Sequence, residues 1–172
     1  IELLKQVVNL NKGIYLEEEL KGNNGTTFCA GVAGYPEKHF EAPNMQTDLL
    51  YLKKKVEAGA EYIVTQMFFD NKKFFAFEKQ CREAGITVPV IPGLKPITSK
   101  KQLSIIPRTF YVDIPTDLSG EILKCKEDAD VEKVGTEWLL AQSKELKKSG
   151  VPVLHYYTLG KPHVVVNVVK EL

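Results

Sequence analysis

The side chains of this sequence that could do chemistry fall into four short clusters. They are Tyr35, Glu37 and His39; Gln66 and Asp70; Lys95 and Gln102; and His155, Tyr156, Tyr157, Thr158 and Lys161. Amides, phenols and imidazoles dominate, and the paired carboxylates of a two-acid hydrolase do not recur. Such groups hold a large planar ligand by hydrogen bonding and stacking. His155 and His163 have no Ser or Cys nucleophile near them in sequence, so a catalytic triad has no support. His155 reads as a core or barrel-mouth histidine, and Trp138 as core. Cys29, Cys81 and Cys125 are far apart, with no Cys-x-x-Cys and no His at ligand spacing, which argues against zinc. An odd cysteine count in a Lys-rich chain, with no charged leader before the apolar stretch at Ile1, leads us to expect a reducing, cytosolic setting.

Three spacings bear on ligand binding. If Tyr35 faces inward, Ala33 and Gly31 do too, and small inward residues leave room for a flat ligand. The same pattern is equally the ordinary alternation of small and large side chains inside a barrel. Gln66, sharing parity with Val64 and Phe68, is a lone amide in an apolar run and needs a partner, either a ligand or a neighbouring backbone group. Asp48, Tyr51 and Lys55 stand at i, i+3 and i+7, on one helix face with Lys54 beside them. That face is either a plain solvated one or, lying just after the Tyr35–His39 segment, a place where phosphate or ribose meets a helix N-terminus and a lysine.

The elements that must position these groups alternate. Strands are expected at 26–35, 61–69, 87–94 and 152–158, and helices at 46–58, 71–84, 99–106, 128–149 and 162–171, with a loop over 107–116. Ile1, Leu4, Val7 and Val8 read as the back of a helix. Gly59, Gly85 and Gly150 sit where helices stop. Strand–helix alternation implies parallel strands with function at their C-terminal ends. Four such units make a small open sheet or half of a barrel; Gly34-Tyr35-Pro36 after the first strand is neither a dinucleotide fingerprint nor a P-loop. The 172 residues are short for a complete eight-unit barrel of about 250. Open strand edges lead us to expect self-association. With 23 basic and 22 acidic residues, the net charge of +1 argues against nucleic acid as a partner. No apolar run approaches the roughly 20 residues of a membrane span.

Specific strings go further. GVAGYPEKHFEAPN (31–44), DLLYLKKKVEAGAEYIVTQMFFDN (48–71), VIPGLKPI (90–97) and VLHYYTLGK (153–161) closely resemble the methylenetetrahydrofolate reductase family, in that family's order and at similar separations. The resemblance implies a (β/α)8 TIM-barrel fold, of which residues 1–172 would be a C-terminal half-barrel of about four βα units. It implies a flavoenzyme of one-carbon and methionine metabolism that reduces 5,10-methylenetetrahydrofolate to 5-methyltetrahydrofolate. Electrons come from NADH or NADPH through FAD, and the full-length parent is expected to be a cytoplasmic homo-oligomer. Ala33, Tyr35, His39, Ala42, Asp48, Tyr51, Lys54 and Lys55 match FAD-holding positions. Gln66 matches a glutamine that contacts folate and the nicotinamide donor; Gln102, Tyr157 and Lys161 match substrate-side positions.

Three departures accompany the match. Lys161 stands where the family often has arginine, replacing a bidentate fork by a point charge. Leu103 to Ile106 lack the aromatic that bacterial relatives can carry for stacking. No residue matches the family's general-acid glutamate or the aspartate of its Arg-Gly-Asp stretch, both carried by the first four strands, so this piece alone is expected to be inactive. Two other readings compete: a flavin-binding module without catalysis, and a barrel lyase or aldolase using Lys95.

Overall fold

The structure, a computed structural model, describes residues 1–17, 19–20 and 24–172. In chain order the elements are α1 (Glu2–Asn11), β1 (Gly31–Gly34), α2 (Met45–Glu57), β2 (Tyr62–Met67), α3 (Asn71–Glu83), β3 (Val90–Leu94), α4 (Gln102–Phe110), α5 (Thr116–Lys124), α6 (Asp128–Lys148), β4 (His155–Tyr156) and α7 (Pro162–Lys170). The strands form one parallel sheet in the order β1-β2-β3-β4, each followed by helix, the architecture of a partial (β/α) barrel. Among the described residues no helix is long and apolar enough to cross a membrane.

The helix-facing side of the sheet carries the core. Ile63 of β2 and Val90 and Leu94 of β3 meet Leu49 and Leu52 of α2, Phe74, Phe77 and Cys81 of α3, and Leu139 and Leu146 of α6. Cys81 is fully buried, and burial pushes its thiol up to about 12. A second cluster forms beyond the strand ends, where Met67, Phe69 and Ile97 meet Ile106, Leu118, Ile122 and Val131. Helix α6 spans both. Its inward stripe of Val131, Gly135, Leu139, Gln142 and Leu146 is buried. A Cβ at Gly135 would lie 1.9 Å from the Ile97 carbonyl oxygen, so the helix rests directly on backbone.

Several boundaries differ from the sequence reading, each for a local reason. Residues 26–30 lie outside β1, and their polar groups find other partners: Asn11 Nδ2 donates to Phe28 O (2.8 Å) and its Oδ1 accepts from Phe28 N (2.9 Å) and the Thr26 hydroxyl (2.7 Å), Thr26 N donates to Leu10 O (3.1 Å), and Ala30 N donates to Glu61 Oε1 (3.1 Å). The register of β2 on β3 slips between Val64 and Met67, where the Thr65 hydroxyl accepts from Gly93 N at 2.9 Å. Phe68 therefore does not share Gln66's face; it is fully buried and stacked on Phe74 at 5.4 Å. Helix α4 runs on through Pro107 to Phe110, taking the first part of the expected loop, and α5 forms where the sequence reading placed no element.

Candidate functional site

The sheet's other side is open. Gly31 and Ala33 of β1 are exposed there, while Val32 and Gly34 turn toward the helices; Val64 and Gln66 of β2 are half-buried on the open side. The space over Gly31 is not vacant, contrary to the expectation of a continuous small-residue floor. A Cβ there would meet the Tyr62 ring at 2.3 Å, so Tyr62 covers Gly31 and leaves Ala33 as the open step.

Beside that step, the segment after β1 and the start of α2, with Ile1 and Glu2 at one side, line an open cavity of about 680 Å³. Tyr35, His39, Ala42, Asp48, Tyr51 and Lys55 are among the residues that line it. Ala33 and Lys54 are not among its lining; the Lys54 ammonium sits 5.3 Å from the Tyr51 ring centroid. The segment's shape is built locally. Lys38 takes a left-handed backbone (φ 73) and its Nζ donates to the carbonyls of His39 (2.9 Å) and Ala42 (2.6 Å). Asn44 caps α2 by accepting from Thr47 N at 2.8 Å. Asp48, in the first turn and lining the cavity, accepts from His39 N at 2.8 Å, so one carboxylate oxygen fixes the loop. Burial raises the Tyr35 phenol's pKa, helped by the negative charges of Asp48 and Glu41.

Two glutamines beyond the cavity have their amide oxygens already engaged. Gln66 Oε1 accepts from Met67 N at 3.0 Å, and Gln102 Oε1 accepts from Thr98 N at 2.7 Å. A backbone N–H can bond only the amide oxygen, which fixes both side-chain orientations. Each NH2 is left as a free donor among the described residues. Tyr157 donates its hydroxyl to Thr65 O at 3.0 Å and meets His155 edge-on at 4.6 Å. His155 itself is exposed at the mouth and not in the core. Tyr157's pKa is raised by burial and then by the charge of Tyr35.

Lys161 stands apart: its Nζ binds Glu132 Oε2 at 3.0 Å, and His163 Nε2 binds the other oxygen of Glu132 at 3.0 Å. Lys95 is buried at the end of β3 with its Nζ on Pro96 O at 3.3 Å; burial, then the charge of Lys161, lowers its pKa. Trp138 is half-buried, its indole donating to Phe69 O at 3.0 Å. The sequence reading passed over one group, Lys73, which lies 2.6 Å from both Glu37 Oε2 and Asp113 Oδ2. These partners are 36 and 40 residues from Lys73, and no local spacing announces them. No cluster of three metal-ligating side chains occurs among the described residues.

The family model described as methylenetetrahydrofolate reductase matches residues 4–172. A probable methylenetetrahydrofolate reductase (NADPH) of Caenorhabditis elegans is 37% identical over 150 residues, 86% of this chain and 23% of that protein. The 5,10-methylenetetrahydrofolate reductase of Salmonella typhimurium is 40% identical over 135 residues, 78% of this chain and 46% of that protein. The chain thus spans less than half the length of these curated relatives. A solved structure from Clostridium thermocellum, of an uncharacterized protein that binds two copies of 5-methyl-5,6,7,8-tetrahydrofolic acid, superposes with a TM-score of 0.56 at 18% identity, covering 82% of this chain and 52% of that one; it shares the fold. With a family model matched from its fourth residue to its last, the chain belongs to the methylenetetrahydrofolate reductase family.

Proposed function

We propose that the whole protein reduces 5,10-methylenetetrahydrofolate to 5-methyltetrahydrofolate with NADH or NADPH as donor, and that this chain is the C-terminal half of its catalytic barrel. The observation that carries the reading is the cavity lined by Tyr35, His39, Ala42, Asp48, Tyr51 and Lys55. Its chemistry fits FAD. The Lys55 ammonium lies on the same side of α2 as Asp48 and Tyr51 and suits a diphosphate, and the exposed Ala33 step beside the cavity admits a flat ring close to backbone. When bound, FAD supplies hydride transfer; the protein supplies binding and orientation. Gln66 and Gln102 present amide N–H groups to acceptor atoms of the folate or nicotinamide, and Tyr157, its hydroxyl on Thr65 O, offers a ring on the substrate side. Lys161, held by Glu132, adds positive charge at the substrate end. The general acid is supplied by residues other than these, and the chain by itself does not turn over. A cytosolic homo-oligomer completes the reading; the free thiols of Cys29, Cys81 and Cys125 accord with a reducing compartment.

The test is the colour and cofactor content of the purified full-length protein. It is expected to be yellow, and Asp48→Ala and Lys55→Ala are each expected to weaken FAD binding about tenfold, the value of one charge-assisted contact. A colourless protein, or one whose FAD affinity ignores both substitutions, would sink the proposal.

A further inference from the structure

Two surface loops that are far apart in sequence are fastened together beside the proposed cofactor cavity. Glu37 follows β1 by three residues, and Asp113 lies between α4 and α5. Lys73, in the first turn of α3, donates to Glu37 Oε2 and to Asp113 Oδ2, both at 2.6 Å. The Asp113 N–H closes the triangle on Glu37 Oε2 at 2.9 Å. The Glu37 side chain is only 10% exposed, so its bonds to Lys73 and to the Asp113 N–H are held contacts, whereas the Asp113 carboxylate, 82% exposed, adds a surface pair to them. Burial raises the Glu37 pKa, while Lys73 lowers that of Asp113. For Lys73, burial acts downward, but the bonds to Asp113 and Glu37 outweigh it and raise its pKa.

A second tie joins the same two segments by different physics. Phe40 and Tyr111 stack with ring centroids 4.6 Å apart and planes 12° from parallel. Phe40 continues inward through His39, at 4.9 Å, to Tyr35, at 4.6 Å from His39. Tyr111 ends α4 with a left-handed backbone (φ 56), a conformation that an aromatic residue adopts only against resistance. The chain accepts that strain where it brings Tyr111 over Phe40.

The two segments carry different halves of the proposed site. Tyr35 and His39 line the cofactor cavity. Helix α4 opens with Gln102, and Tyr111 directly follows its other end. We infer that Glu37, Lys73, Asp113 and the Phe40–Tyr111 stack are positioning residues that lock the cofactor loop to the substrate-bearing helix α4, so that loosening this latch disturbs both binding sites at once. The inference rests on the flavin and folate assignments proposed above.

The experiment compares Lys73→Met, Lys73→Arg and Tyr111→Gly in the full-length protein. The readouts are the FAD dissociation constant of the apoprotein, the KM for methylenetetrahydrofolate, and the melting temperature. Lys73→Met is expected to weaken FAD and raise KM by about fivefold each, the lower end of ordinary site-to-site coupling, with kcat falling less than KM rises. Lys73→Arg, which keeps a cation able to span both carboxylates, is expected to restore both to within about twofold. Tyr111→Gly removes the stack and relieves the left-handed backbone, so it is expected to weaken both sites without lowering the melting temperature. That split separates positioning from a structural role, and it decides the matter alone if Lys73→Met fails to fold. FAD affinity and KM that stay within twofold, or only one of the two moving, in Lys73→Met and Tyr111→Gly would overturn the latch while leaving the flavin reading intact. A full-length protein that takes up no FAD overturns both.

Discussion

Gly135→Ala is expected to destabilise the fold by about 3 kcal/mol or more, at the upper end of overpacking costs. Alanine's better helix propensity offsets at most about 1 kcal/mol of that. The reason is a contact that no side chain can vacate. The added Cβ would stand 1.9 Å from Ile97 O and 2.9 Å from Ile97 C, and Ile97 belongs to the buried segment that follows β3. Relief requires α6 to move away from the sheet, and α6 is tied there by further contacts. Gln142 and Asn71 bond each other at 3.2 Å, Trp138 reaches Phe69 O, and Tyr156 donates to Ser143 Oγ at 2.9 Å. For a domain of this size the expected fall in melting temperature is about 10 °C. Gly120→Ala is the matched control. It lies in α5, a Cβ there meets nothing within 4 Å, and the substitution is expected to stabilise by about 0.5–1 kcal/mol. Thermal melts of the two variants side by side check the pair; a Gly135→Ala protein melting within about 2 °C of its parent would show that α6 does not sit on Ile97 as described.

Gln66→Glu should leave the fold untouched and damage the function. A glutamate can still accept the Met67 N–H, so the local backbone keeps its partner. What disappears is the amide NH2 of a side chain on the sheet's open side, and a negative charge replaces it. An acceptor facing an acceptor, with the lost bond, costs about 3 kcal/mol in all, so kcat/KM for methylenetetrahydrofolate in the full-length protein should fall about 100-fold while the melting temperature stays within about 2 °C. Steady-state kinetics together with a melt check it. A loss below about threefold would mean that the amide points at nothing that matters. Gln102→Glu makes the same argument on α4, where the oxygen is held by Thr98 N.

The strand–helix alternation was legible because buried parallel strands are short apolar runs stopped by glycine, and Gly59, Gly85 and Gly150 each adopt the positive φ that a helix stop uses. Helix α5 escaped notice because it buries only Leu118 and Ile122 and carries Ser119 and Gly120 mid-helix; packing against α6, not propensity, makes it helical. The strand expected over 26–35 shrank to four residues because the preceding backbone bonds partners outside a strand ladder, Phe28 on the Asn11 side chain, Thr26 on Leu10 O and Ala30 N on the Glu61 carboxylate. The stripe Asp48–Tyr51–Lys55 was readable from helical spacing and does face a cavity. The donor polarity of Gln66 and Gln102 was not, since it depends on which backbone N–H each amide oxygen finds. Nor was Lys73, whose partners are set by how three loops fold back over the sheet.

Cys81 has a use that its place in the core confers. A maleimide or iodoacetamide reacts with thiolate, and this thiol is fully enclosed with a pKa of about 12. Reaction must therefore wait for α3 to lift from the sheet, whereas Cys29 is open to the reagent throughout. The slow modification of one sulfur is a stopwatch for the opening of the interior, running in native buffer without denaturant or an engineered probe.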